Sequence, residues 1–431
     1  MKRGFLRGAA YLSIASILCK VLGAAYRVPL TNILGAEGIG AYQMVFPVYT
    51  VLLTLSSTGI PNALAKTIAE GKDARSILRK SLLFFGSAGF VFSLAVYLLA
   101  GPIARLQGNP SVAAAYKALS PSVFFVSVIS CFRGYRQGLD DMLPTALSQI
   151  TEQTVKLAFG LTLCSLFGTT AYEKAAIATL SVTLSEAAAL VFIIFFKRKD
   201  VRVGGENSSL KSILAVVFPV TLSAIALPIS RTVDGFLAVN LISAERSVAT
   251  ARFGLYSGAT ESVVSVPIAL CYAVAVSSVP RIAADKTSVD MRFKPIFLTL
   301  AIGSVAAVGV YFSAGLIVRT LYSSLDGASR QMLAMLIKTS AAQVIGLGLV
   351  QTCSAVLVAL DKPFLSCAHL ALGVVAKTVF TYVFVPNGYG VFGCALADTF
   401  TYLIVAALDL FSIIRLGRAR STVLKGQRTP I

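Results

Sequence analysis

SLLFFGSAGFVFSLAVYLLAGPIA, residues 81–104, contains no charged side chain. A hydrocarbon core about 30 Å thick is crossed by about 20 helical residues rising 1.5 Å each. The stretch is therefore long and apolar enough to cross a bilayer as one helix, and Lys80 and Arg105 stand at its two ends. The same pattern recurs outward in both directions, at 9–30, 42–65, 118–135, 144–168, 175–196, 212–242, 253–280, 295–318, 332–360, 364–386 and 390–414. Twelve spans are expected, so the fold class read from the sequence is an all-α polytopic membrane protein.

Composition agrees and excludes other classes. Of 431 residues, 56% are hydrophobic and 13% charged, about half the charge of a soluble domain, which is roughly 25%. Mean hydropathy is +0.80. A soluble multidomain protein needs more surface charge, and a disordered chain cannot be this apolar. The net charge is +19, from 38 Lys and Arg against 19 Asp and Glu. Its distribution explains it without a nucleic-acid partner. With the N-terminus inside, inner segments hold 25 Lys and Arg and outer loops 7, and both termini are expected in the cytoplasm. The N-terminal stretch, basic at Lys2, Arg3 and Arg7, stays apolar past Lys20 to Leu34. That is too long for a signal-peptide core and reads as a retained first span.

Catalytic signals are missing. The seven Cys form no CxxC and lie in apolar stretches, as small buried hydrophobes. The Gly71-Lys72 pair is followed by Asp73, so no phosphate-binding Gly-Lys-Ser/Thr loop is present. With His369 as the one histidine, no histidine-based metal site or triad can be built, and this residue reads as a polar group tucked between helices. The chain is expected not to be an enzyme and to hold no metal or cofactor.

Organisation follows from the loops. The polar segment Lys197–Lys211 suits a linker, giving a six-helix lobe over 1–200, a cytoplasmic linker over 201–211, a second six-helix lobe over 212–415 and a basic cytoplasmic tail over 416–431. Weak internal similarity supports two halves. Gly40-Ala41-Tyr42 is matched 214 residues later by Gly254-Leu255-Tyr256; Leu139-Asp140 and Lys156 are matched 221 residues later by Leu360-Asp361 and Lys377. Six spans per half make parallel repeats, with a cavity expected between them.

Charges inside the spans carry the functional information, because each costs about 2.5–3.5 kcal/mol to insert at mid-membrane. Lys20 and Arg27 are seven apart on one helical face, with no acid in their span, and suggest a water-filled cavity that attracts anions. Glu152 and Lys156 are spaced i,i+4, which fits either neutralisation within the helix or a substrate contact. Arg231 and Asp234 share the seventh span with Pro219 and Pro228, where a broken helix is expected. Glu261 lies in a polar stripe with Ser257, Thr260, Ser262 and Ser265, and Glu186 has similar neighbours. Lys338, Lys377 and Asp398 are further mid-span charges, whereas Asp409 stands close enough to a span end to reach water. Counted by halves, in-span charge is net +1 in the first and −1 in the second. Gly134 and Gly138 form a GxxxG, read as close helix packing.

The stretches CKVLGAAYRVPLTNILGAEGIGAYQMVFPVYTVLLTLSSTGIPNALAK (19–66) and FRGYRQGLDDMLPTALSQITEQ (132–153) resemble the stage V sporulation protein B family, as do the proline-bearing seventh and eighth spans. That family lies in the multidrug/oligosaccharidyl-lipid/polysaccharide exporter superfamily, beside the lipid II flippases. The resemblance implies two lobes around a central cavity, alternating access, and a polyprenyl-diphosphate-linked glycan as cargo in a bacterial cell membrane. Lys20 and Arg27 resemble the essential basic residues of the lipid II flippases' first span, with spacing different by one residue. Asp234 matches their coupling-ion aspartate, and Asp398 is a second candidate, with Na⁺ or H⁺ as the ion. Arg231, Glu261, Glu152 and Lys156 complete the candidate substrate site. Those flippases have two further spans, which form a lipid-tail groove. The expected partners are the lipid-linked glycan and membrane lipids, with no nucleic acid, and the expected state is a monomer. Two other functions remain open: a multidrug/cation antiporter of the same fold, and a non-transporting assembly factor for cell-wall or spore-cortex synthesis.

Overall fold

The computed structural model describes residues 2–196, 209–286 and 288–426. Among them are fourteen helices, in chain order: α1 (Lys2–Ser57), α2 (Gly59–Ala69), α3 (Ala74–Leu106), α4 (Ala113–Gly138), α5 (Leu143–Leu166), α6 (Ala171–Phe195), α7 (Leu210–Ala224), α8 (Ala226–Leu241), α9 (Arg246–Gly254), α10 (Glu261–Ala284), α11 (Val289–Leu321), α12 (Gly327–Ala359), α13 (Pro363–Phe384) and α14 (Val391–Gly426). Every expected span falls on helix, and the described residues contain no strand. Among the described residues, nine helical stretches are long and apolar enough to cross a membrane. The first of these holds two expected spans, because α1 bends at Gly35, where φ is 69° and ψ −179°. That backbone suits a residue without Cβ.

Large apolar side chains face outward, as Phe90, Val91 and Leu98 do on α3 and Val305, Phe312 and Leu316 on α11. In a bilayer this surface is solvated by lipid tails. The seventh span is broken as expected: α7 ends at Ala224 and α8 starts at Ala226. Pro228 has no N–H to continue the ladder, and its ring crowds the carbonyl four residues back. The helix starts are capped by short polar side chains. Thr170 and Glu173 form a reciprocal capping box on α6, while Asp73, Ser288 and Asp326 accept backbone N–H groups at α3, α11 and α12. Hydrogen bonds from Ser329 hold the Asp326 carboxyl below its ordinary range.

The chain divides into two compact units, residues 1–240 with 244–254, and residues 241–243 with 255–431. Residues 201–208 of the expected linker lie outside the described residues, and the division falls later in the chain than that linker. The physical reason is apolar packing. Ile213 and Val217 of α7 fill one buried cluster with Ile60, Leu64 and Ile77 of α2 and α3. A hydrogen-bonded network ties α9 to the same unit. Asn109 donates to Thr250 Oγ1 at 2.9 Å and Tyr172 Oη at 2.8 Å, while Gln107 donates to the Met44 carbonyl at 2.9 Å. Helix α14 continues to Gly426, so the first part of the expected tail is helical.

Helix order within the second unit repeats that of the first. α3 and α11 are both 33 residues long. The matched aspartates prove to be matched helix ends: Asp140 at φ 56° and Asp361 at φ 61° are the two non-glycine residues with positive φ among those described. In each case the next residue's N–H reaches five residues back at 2.9 Å, Asp141 to Arg136 and Lys362 to Leu357. This is the Schellman ending, with Asp where Gly is usual.

The GxxxG at 134 and 138 is a packing surface, as expected. A Cβ at Gly134 would stand 2.7 Å from the Pro61 Cα, and one at Gly138 would stand 2.6 Å from the Ile68 Cβ. Neither neighbour can give way easily, so Gly134→Leu should destabilise the detergent-solubilised protein by about 1–3 kcal/mol. Gly309→Ala, where a Cβ meets nothing within 4 Å, should be neutral or slightly stabilising. Thermal unfolding of both variants checks this; equal transitions would remove the close-packing assignment.

Candidate functional site

In the first unit, polar side chains from α1, α4, α5 and α6 converge inside an apolar bundle. Arg133 lies near the end of α4 and is buried, with 9% exposure. The short turn after Gly138 brings α5 back so that Ser148 and Glu152, one helical turn apart, both face it. Arg133 Nε donates to Ser148 Oγ at 3.0 Å, and its Nη2 donates to Glu152 Oε2 at 3.0 Å. Gln153 donates to the other Glu152 oxygen at 3.0 Å. Both Glu152 oxygens are thus occupied, as a carboxylate in low-dielectric surroundings requires.

One turn further along α5, Lys156 lies 5.9 Å from the ring centroid of Tyr26 on α1. The aromatic face stabilises the ammonium without neutralising it. Gly160 permits this arrangement, since a Cβ there would stand 2.6 Å from the Tyr26 hydroxyl and 2.9 Å from Ser181 Oγ. Glu186 of α6, 2% exposed, accepts a hydrogen bond from Tyr49 Oη at 2.9 Å. Its second oxygen has no hydrogen bond. Lys156 is within electrostatic reach of Glu152, Glu186 and Arg27. The cluster therefore sets Arg27, Arg133 and Lys156 against Glu152 and Glu186. Among the described residues no carboxylate pairs with Arg27 or Lys156.

The structure brings Arg27, Glu152 and Lys156 together but changes the pairing. Glu152 and Lys156 do not neutralise each other along the helix; Glu152 is held by Arg133, and Lys156 stays over Tyr26. The Lys20 side chain lies outside the described residues. Arg231 and Asp234 lie one turn apart on α8, Arg231 exposed and Asp234 buried. Glu261 opens α10 and is half-buried, directly after a π-helical turn over Leu255–Thr260. Such turns insert one extra residue and re-aim the side chains beyond them.

Asp398 is buried on α14, where Lys377 Nζ stands 2.5 Å from Oδ1 and Tyr256 donates to Oδ2. Its charge is answered within the protein by an ammonium, which leaves little for a mobile cation to neutralise. Asp409, expected to reach water, is instead fully buried. Arg133 is the residue that sequence reasoning missed. By sequence it falls with Arg136 among the inner-loop charges, yet α4 runs on to Gly138 and carries both inward. The signal was its position directly after the uncharged run 118–132, one residue before Gly134 of the packing motif.

The Arg133–Glu152 bond is testable by a double-mutant cycle. Arg133→Gln and Glu152→Gln should each cost roughly 1.5–3 kcal/mol of unfolding free energy, from a charged hydrogen bond lost in a buried setting. The double variant should cost less than the sum of the two. Additive losses would show that the two side chains act independently.

Three comparisons bear on this arrangement. Stage V sporulation protein B of Bacillus subtilis (strain 168) is 25% identical over 441 residues, covering 96% of this chain and 84% of that protein. Lipid II flippase MurJ of the same organism is 22% identical over 419 residues, covering 88% of this chain and 77% of the flippase. Among solved structures, the inward-facing conformation of a multidrug resistance MATE family transporter of the MOP superfamily superposes with a TM-score of 0.76 at 17% identity, over 98% of this chain and 100% of that one. The fold is therefore that of the MOP-superfamily membrane transporters, and the chain is a multi-pass membrane protein. The model of the family described as polysaccharide biosynthesis protein matches residues 5–286, and the chain belongs to that family.

Proposed function

We propose that the protein is an alternating-access flippase that carries a polyprenyl-diphosphate-linked glycan from the inner to the outer leaflet of a bacterial cell membrane, with both termini in the cytoplasm. The observation that carries this reading is the buried cluster in the first unit, where three cations meet two carboxylates and Arg27 and Lys156 have no carboxylate partner among the described residues. Bringing a diphosphate head into hydrocarbon strips its hydration at prohibitive cost unless fixed cations replace the water. Arg27 can grip two phosphate oxygens at once through its guanidinium, whereas Lys156 acts as a point charge. The prenyl tail would remain in lipid. The names of the relatives support the cargo class, one of them being a lipid II flippase.

Within this reading Arg133 positions Glu152, and so keeps a carboxylate from quenching Lys156. Lys20, Arg231 and Glu261 are further candidates for contact with the glycan or its phosphates. Asp234, buried on α8, and Asp398, which Lys377 faces, are the candidates for a coupling ion. A multidrug antiporter shares the fold. Such a transporter selects cationic compounds, which cationic side chains in the first unit would repel.

Transport of a fluorescent undecaprenyl-diphosphate-disaccharide into protected leaflets of proteoliposomes tests the reading. Arg27→Ala should abolish transport with normal expression, and Arg27→Lys should be worse tolerated than Lys156→Arg. Loss of one charged hydrogen bond should weaken substrate binding by roughly 10- to 150-fold, from about 1.5–3 kcal/mol. Intact transport in the Arg27→Ala/Lys156→Ala double variant would overturn the anion-site reading. For the ion, Asp234→Asn should keep the fold but remove dependence on an imposed cation gradient; unchanged dependence would make Asp234 structural.

A further inference from the structure

The second unit holds a second buried polar cluster that the transport reading leaves unused. His369 of α13 sits with Nδ1 2.6 Å from Asp409 Oδ1 on α14. Ser354 of α12 donates to the other oxygen, Oδ2, at 3.0 Å. Asp409 is fully buried and His369 is 8% exposed. This is not a hydrolytic triad: the hydroxyl bonds the carboxylate rather than the imidazole, so no base could activate it.

An ionised carboxylate can only accept, and Ser354 already donates to Oδ2, so Asp409 Oδ1 calls for the hydrogen on Nδ1. The atom left to titrate is Nε2. When Nε2 is unprotonated the cluster carries one negative charge in hydrocarbon-like surroundings. When it takes a proton from water, the imidazolium and carboxylate sum to zero.

The charges around the cluster do not pre-empt this. Cys353 of α12 is within electrostatic reach of Asp409. Lys377 is eight residues along α13 from His369, about 12 Å of helix rise, and is engaged with Asp398, which also accepts from Tyr256. On α12, Lys338 is exposed over the Tyr311 ring, and Arg330 lies in the first turns. Arg415 of α14 is exposed. From α10 and α11, whose Ile282 and Ile296 share an apolar cluster with Cys353, the charged residues nearest in sequence are Arg281 and Lys294; Lys294 is exposed, and Arg292, two residues before it, donates to the Lys286 carbonyl.

Comparison of the two units sharpens the point. Ser354 and His369 stand 221 residues after Arg133 and Ser148, the same offset that relates Asp140 to Asp361 and Lys156 to Lys377. In the first unit those two positions hold a permanent cation and its hydroxyl partner. In the second they hold a hydroxyl and the one side chain whose ordinary titration falls near neutral pH.

We propose that His369, Asp409 and Ser354 form a proton-binding site in the second unit, with Nε2 of His369 as the atom that gains and loses one proton. Its role as the coupling site rests on the transport reading above; proton binding itself does not. Loading neutralises a buried negative charge, and that is a free-energy difference large enough to bias a conformational equilibrium.

Because His369 is the only histidine, ¹⁵N-imidazole NMR of the full-length protein in detergent, with a histidine-free affinity tag, reads the site directly. A single one-proton titration between pH 4 and 9 is expected. Asp409→Asn, which removes the carboxylate that stabilises an imidazolium, should release the proton at a pH lower by about one unit or more. Ser354→Ala provides a milder variant should Asp409→Asn not fold, and its titration should also move. An imidazole that does not titrate over that range, or titrates identically in every variant, overturns the proposal. In proteoliposomes carrying the fluorescent undecaprenyl-diphosphate-disaccharide, His369→Gln should lose the acceleration that a pH gradient gives the parent. A parent insensitive to the gradient overturns the coupling role alone. A parent that moves no lipid under any condition overturns the flippase reading and leaves the NMR result standing.

Discussion

A charge inside an apolar helical bundle must be answered by something the protein itself supplies, and most of what is distinctive here depends on how each charge is answered. Arg133 spends its guanidinium on Ser148 and Glu152. Lys377 spends its ammonium on Asp398, and His369 meets Asp409. Lys156 is stabilised by the Tyr26 ring, which leaves its charge in place. The contrast between cancelled and merely tolerated charge separates framework from candidate site more sharply than burial does.

Helix packing makes these answers possible. Gly160 lets Tyr26 reach between α5 and α6, and Gly134 with Gly138 lets α4 lie close against α2, which draws the end of α4, with Arg133, inward. Small residues here do the work that the hydrophobic effect does in water, because lipid tails are as apolar as the helices they solvate. The outward faces accordingly carry Phe90, Leu98 and Phe312, and the polar residues turn in.

The two units read as variations on one framework. Schellman endings at Asp140 and Asp361 and the paired α3 and α11 preserve the scaffold, while the polar positions on it have diverged. An unconditional cation fits a permanent anion site, and a histidine fits a site whose occupancy tracks pH.

Hydropathy determined the class and the helical stretches, because a bilayer demands long apolar helices whatever their neighbours are, and the prolines of the seventh span marked its break near Pro228. The inward charges were legible too, since hydrocarbon rejects them and any that remain stand out. Sequence spacing could not assign their partners. Glu152 has Lys156 one turn away, yet it pairs with Arg133, nineteen residues earlier on another helix. Asp409 stands near a span end by sequence and is sealed beside His369. Pairing depends on which helices touch and at what depth, which local periodicity does not encode; the apolar packing of Ile213 and Val217 on α2 and α3 likewise placed α7 in the first unit rather than the second. Sequence decided which residues must be answered, and tertiary packing decided what answers them.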